Sequence, residues 1–132
     1  MRNIIFVGLH NKPDMMPLDI ISRSGKIINK LIKRFSNYKY RDLVFIKTNL
    51  FDTEYLPING NEIDKEVINW HYRINYNSDD IIVLLGSEVQ KRFINRLDNK
   101  IIKLPHPASF FYSGKKDVEY IQKAFDKIKM IL

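Results

Sequence analysis

The chain reads as an α/β domain: a three-layer α/β/α arrangement around a central four-stranded parallel sheet. Two observations predict this. Four short apolar runs, Ile4–Val7, Leu43–Ile46, Ile81–Leu85 and Ile101–Leu104, lack the polar alternation of a half-exposed strand, so they read as strands buried on both faces. Segments with apolar residues at helical spacing lie between and after these runs, which is the alternation of a parallel sheet covered by crossover helices. A chain of 132 residues, 45% of them hydrophobic, has enough material for one core and too little for two, so residues 1–132 are expected to form a single domain.

The elements follow in order. Asn3 and Gly8 bound the first strand. Gly8 to Ile21 carries Asn11, Pro13, Asp14, Pro17 and Asp19 and shows no period, so it reads as a long loop. Ile27, Ile28, Leu31, Ile32 and Phe35 repeat at helical spacing after Ser22 and Ser24, either of which can cap the helix. The second strand covers Asp42 to Lys47, with Thr48-Asn-Leu-Phe51 at its carboxyl end. A loop from Asp52 to Asn61 leads to a helix from Glu62 to about Tyr76, with Ile63, Val67, Trp70 and Ile74 on one face. His71 on this helix reads as a surface or groove residue. Gly86-Ser87 turn the third strand into a helix that runs through Phe93 and Ile94. Val118, Ile121, Phe125, Ile128 and Leu132 mark an amphipathic helix at the C-terminus.

Composition narrows the function. Lys and Arg number 22 against 15 Asp and Glu, a formal charge of +7 that suits a polyanionic partner. With no cysteine there is no disulfide, thiolate metal site or iron–sulfur cluster. The three histidines are spaced too far apart for a metal site. Met1-Arg-Asn and the short run after it do not read as a secretory signal, and no apolar run reaches membrane-spanning length, so a cytoplasmic setting is expected.

Chemistry concentrates in Ile101-Ile-Lys-Leu-Pro-His-Pro-Ala-Ser-Phe-Phe-Tyr112. Pro105 and Pro107 stop the fourth strand and hold His106 between two rigid residues. A hydroxyl, three aromatics and the cations Lys115 and Lys116 follow. In open parallel sheets, ligands bind beyond the carboxyl ends of the strands. The Gly8 loop, Thr48-Asn49 and His106 all fall at such ends and converge on one edge if the sheet is parallel.

Val7-Gly8, Ser22-Arg-Ser-Gly-Lys-Ile-Ile-Asn-Lys-Leu31, Lys47-Thr-Asn49, Ile81-Ile-Val-Leu-Leu-Gly86 and Leu104-Pro-His-Pro-Ala-Ser109 resemble, in order, the motifs of the uracil-DNA glycosylase superfamily, in its bacterial and archaeal branches. The resemblance implies a uracil-DNA glycosylase-like fold. The implied activity is a monofunctional DNA glycosylase without lyase activity. It would flip a uracil or another modified or deaminated base out of DNA and hydrolyse its N-glycosidic bond, without metal or cofactor. The partner would be single- or double-stranded DNA, and the protein a monomer. Carried over, His106 would donate to the base oxygen that gains charge, and Asn49 would bind the base edge. Gly8 and Leu9 would line the pocket, and Ser109, Phe110 and Phe111 would pinch a phosphate and fill the vacated stack. Ser24, Gly25 and Lys26 at a helix start, with Lys115, would meet DNA phosphates.

The chain departs from the family at its first motif. Leu9 and His10 stand where a carboxylate or asparagine usually positions the attacking water, so His10 or Asn11 is left to hold it, or Asp14 or Asp19 to swing in. The family's stacking aromatic falls on Ile20, which leaves Phe51 as its substitute or as a core residue. Two competing readings are a catalytically silent relative that binds DNA or a protein partner, and a small-nucleotide-binding α/β domain.

Overall fold

The computed structural model describes residues 2–10, 16–36, 38–51, 60–108 and 116–132. Strand β1 (Arg2–His10) is central and hydrogen-bonds on both edges, to β2 (Leu43–Phe51) and to β3 (Ile81–Leu85). β4 (Ile101–Leu104) pairs with the far edge of β3, which gives a four-stranded, all-parallel sheet in the order β2-β1-β3-β4. Ile4, Ile5, Phe6 and Val7 are each fully sealed from water. At about 2 kcal/mol per buried side chain, these four alone match the net stability of a small domain, about 5–15 kcal/mol. The fold therefore cannot spare β1.

Both β1 and β2 run further than their apolar runs predict. His10 pairs with Phe51, so Gly8 to His10, expected in the loop, belong to β1. Thr48, Asn49, Leu50 and Phe51 lie inside β2. Backbone pairing, not hydrophobicity, carries the strands past Val7 and Lys47, since each polar residue still has a ladder partner.

Helices cover both faces. Helix α1 (Arg23–Arg34) packs Ile27, Ile28 and Leu31 against Ile4, Phe6 and Val83. Its N-cap is Ser22 rather than Ser24: the Ser22 Oγ accepts from Gly25 N–H at 3.0 Å. Helix α2 (Gly60–Ile74) and the short α3 (Ser87–Arg92) cover the other face, where Val67, Trp70 and Val89 meet Ile5, Val7 and Leu84. α2 ends where Asn75 turns left-handed at φ 51. Helix α4 (Asp117–Ile131) lies beside α1, and Phe125 packs on Phe35 at 4.6 Å. Its buried stripe is Tyr120, Ile121, Ala124 and Ile128, so the predicted stripe is displaced and Val118 is exposed. Tyr120 sets this rotation: its hydroxyl donates to the Pro105 carbonyl at 2.6 Å, and burial raises its pKa.

Buried polar groups are tied in. Thr48 Oγ1 donates to the Phe6 carbonyl (2.8 Å) and accepts from Trp70 Nε1 (3.1 Å), which links β2, β1 and α2 through one hydroxyl. Asp80, nearly fully buried, accepts from Asn3 N and Asn3 Nδ2 and from Asn77 N, at 3.1–3.2 Å, and so joins the starts of β1 and β3.

His71 is a packed residue, not a surface one. Trp70, Tyr76 and Phe93 surround its ring at centroid distances of 5.1–5.6 Å between neighbouring rings. The Tyr76 hydroxyl lies 2.6 Å from Nδ1, and the buried Nε2 has no hydrogen-bond partner. Burial first, and then Arg96, lower its pKa below the ordinary 6.5, against the pull of the Ile94 backbone. The folded protein thus binds this proton less well than the unfolded chain. The stability that neutral His71 contributes is complete above 6.5 and is lost as pH falls from there through the folded pKa. Urea unfolding between about pH 5 and 7.5 is expected to give a midpoint that drops with pH. In His71→Gln, which can still accept from Tyr76 and does not titrate, the drop is expected to shrink; an unchanged slope in the variant would assign it to other groups.

Candidate functional site at the carboxyl edge of the sheet

The sheet register sets the site. Gly8 pairs with Asn49, and one residue earlier Val7 pairs with Leu84. Leu85 pairs with Leu104, so Asn49, Gly8, Leu85 and Leu104 stand on one level across all four strands. In the order β2-β1-β3-β4, chain direction across the sheet reverses between β1 and β3, the place where ligands enter open α/β sheets. Gly8 and Gly86 flank that point.

Asn49 is buried, 4% exposed, on the α1 face. A β-carbon at Gly8 would overlap Asn49 Oδ1 and touch Leu18, so the missing side chain of Gly8 is the space the Asn49 amide occupies. Leu18 is held at φ 50, a left-handed conformation that a leucine adopts only under strain, and its carbonyl accepts from Lys47 Nζ at 3.1 Å. From α2, Arg73 Nη2 donates to the Asn49 carbonyl at 2.6 Å.

His106 stands two residues past the end of β4 and is half-buried. Its Nδ1 accepts from the Ala108 backbone N–H at 3.1 Å. A ring nitrogen that accepts carries no proton, so this bond places the ring hydrogen of the neutral imidazole on Nε2. Gly86, at φ 94, lies directly under it: a β-carbon there would be 3.1 Å from the His106 Cβ. Gly86 N–H donates to the Leu104 carbonyl at 2.9 Å. Gln90 Nε2 donates to the carbonyls of Leu84 (3.3 Å) and Leu104 (2.8 Å), which pins the ends of β3 and β4 together. A cleft of about 560 Å³ opens between α3 and the His106 turn, lined by Leu9, Ser87, Glu88, Gln90, Lys103 and His106 among others.

The expected residues thus form two adjoining groups joined by β1. Gly8 faces Asn49, while the next residue, Leu9, shares the cleft with His106. Asn49 does not line that cleft. Phe51 is 1% exposed and packs in the core with Trp70, so its packing is that of a core residue. Gly25 is also a correction. It is buried, its N–H is spent on Ser22, and a β-carbon there would strike the Leu18–Asp19 backbone, so it serves packing and not anion binding. Ser24 is part-exposed and Lys26 exposed on the first turn of α1. The backbone of His10 is in β1; its side chain, and Asn11, Asp14, Ser109, Phe110, Phe111 and Lys115, lie outside the described residues. Arg73, Gln90 and Leu18 were not expected at the site. Gln90 alone left a trace in the sequence, one helical turn after Gly86, whereas the Arg73 contact crosses elements and has no local signature.

Among the described residues no group of His, Asp and Glu is placed to hold a metal ion. In comparisons with known proteins, no family model matches the chain and no curated sequence matches it.

Gly8→Ala tests whether the glycine makes room for Asn49. The new methyl displaces the amide, and overpacking of this kind costs about 1–3 kcal/mol. The expected result is a lower thermal midpoint together with a shift of the Asn49 side-chain NH₂ resonance. An Asn49 resonance that stays in place would show that Gly8 does not shape the site.

Proposed function

We propose that the protein is a DNA glycosylase of the uracil-DNA glycosylase type, which extrudes a base and hydrolyses its N-glycosidic bond. One observation carries this reading: the Ala108 N–H on His106 Nδ1 makes Nε2–H a fixed donor at the strand exits, without a positive charge on the ring. Cleavage of the bond leaves the electron pair on the base, and the developing oxyanion accepts from that donor. Water adds its hydroxyl to the sugar carbon, and its proton balances the departing base. A donor held in place before the reaction reorganises little as charge appears, which is why such groups are worth roughly 3–4 kcal/mol.

Asn49 supports the same reading. An amide offers a donor and an acceptor together, which the edge of a base requires. The turn that lays His106 over Gly86 brings the histidine one strand nearer to the exit of β2, where Asn49 stands. The charge of +7, with Lys103 in the cleft and Lys26 exposed on the first turn of α1, suits the phosphates.

A second reading, a silent relative that binds DNA without cutting it, is favoured by Leu9. An apolar wall lines the cleft where the family places a water-positioning group. Asp19 does not replace that group, because its carboxylate accepts from the backbone of Met16 and Ile21. Glu88 is in the cleft, paired with Arg92 at 3.3 Å.

Both readings meet in one assay. Single- and double-stranded oligonucleotides with one uracil, or another modified base, are incubated with the protein and treated with alkali, which cuts the strand at an abasic site. The expected result is cutting by the wild type, with His106→Ala and Asn49→Ala each slower by about 10²–10³-fold. Binding that weakens steeply with salt, with no cutting on any base, would leave the silent module.

A further inference from the structure

We propose that the open edge of β2 pairs antiparallel with β2 of a second copy of this chain, centred on Phe45, in place of the monomer expected from the sequence. Among the described residues, β2 is an edge strand of nine residues with a neighbour on one side, β1. Arg2 N–H bonds to the Asp42 carbonyl (3.0 Å), so residues 42, 44, 46 and 48 turn their backbone groups toward β1. Leu43, Phe45, Lys47 and Asn49 turn theirs outward. Arg73 already holds the Asn49 carbonyl. Among the described residues, nothing bonds the outward backbone groups of Leu43, Phe45 and Lys47. A long unpaired edge of this kind is a template for another strand.

The side chains along the edge are apolar. Val44 is 36% exposed, and Met16 and Ile20, which flank the same edge, are 73% and 55% exposed. Two grooves border Phe45, one of about 510 Å³ with Phe35, Tyr40 and Leu43, the other of about 450 Å³ with Met16, Ile20 and Ile46. Phe45 lines both.

The register selects the occupant. A two-fold pairing must set outward residues opposite outward residues; of the five such centres from Leu43 to Lys47, Leu43 would carry Lys47 past the start of β2 in the second copy and Lys47 would meet its own copy, two like charges, which leaves three. Centring on Val44 would put Lys47 opposite Arg41 of the second copy, two like charges. Centring on Ile46 would call on the Asn49 carbonyl that Arg73 occupies. Centring on Phe45 pairs Leu43 with Lys47, Phe45 with its own copy and Val44 with Ile46. Each of these pairs is apolar or sets an aliphatic stem against an apolar side chain, and Arg73 closes the ladder at its end. Because β2 keeps its faces in such a pairing, the α1 faces of the two copies become continuous, and the grooves beside Phe45 meet across the axis.

Sedimentation equilibrium of the full chain, with amide exchange at low and high concentration, tests this. The expected result is a mass that rises with concentration toward that of a dimer, with added protection at the Leu43, Phe45 and Lys47 amides. Val44→Lys changes an exposed side chain, counts twice in a two-fold contact, and is expected to weaken association roughly tenfold or more. Salt is expected to tighten it by screening the +7 on each copy, the opposite of its effect on DNA binding. A chain that stays monomeric up to about 1 mM overturns the proposal and leaves the edge to another extended chain. A dimer that Val44→Lys does not weaken, with those amides unprotected, overturns it as well and assigns the contact to a different surface.

Discussion

β1 is bonded on both edges and sealed on both faces, and the described residues at the strand exits take their level from it. Parallel pairing leaves no freedom of level. Once Val7 meets Leu84 and Gly8 meets Asn49, the exits of all four strands are aligned. The Thr48 hydroxyl adds a second lock, accepting from Trp70 and donating to the Phe6 carbonyl. A slip of one residue would turn Thr48 and Asn49 to opposite faces and leave the indole N–H buried without a partner.

From that frame the site is built largely of absences and backbone bonds. Two glycines remove β-carbons where Asn49 and His106 must lie, and a main-chain N–H selects the histidine tautomer. These devices are steric and main-chain in origin, and they fix where the two side chains lie. His71 is the contrast: a histidine packed among aromatics is biased toward neutrality by burial first and then by Arg96, and it serves the core rather than the cleft.

The sequence made the strand cores legible because uninterrupted apolar runs have one explanation in a short chain. Strand extents were hidden, since Thr48 and Asn49 look like the end of a strand and are held in it by backbone pairing. His106 and Gly8 could be read because proline and glycine constrain the chain locally, so their meaning survives without a fold. Gly25 was misread for a related reason. A glycine at a helix start signals either an anion or a close approach, and only the position of the Leu18–Asp19 backbone distinguishes them. Phe51 and the stripe of α4 depended on which neighbours won the core, which spacing alone does not decide.

Arg73 joins the two ends of this reasoning. Its bond to the Asn49 carbonyl satisfies the outward acceptor of β2 next to the site. Without it, that carbonyl would be free to extend a ladder with any approaching strand, and the amide of Asn49 would move with its backbone. An arginine at this position therefore separates two uses of one strand. The lower part of β2, from Leu43 to Lys47, is left open to pair, and the upper part is held still over Gly8. Lysine would not serve as well, because a single flexible ammonium lacks the planar fork that fixes direction as well as charge. The division is made by one hydrogen bond, and it lies where the edge of the sheet becomes the wall of the site.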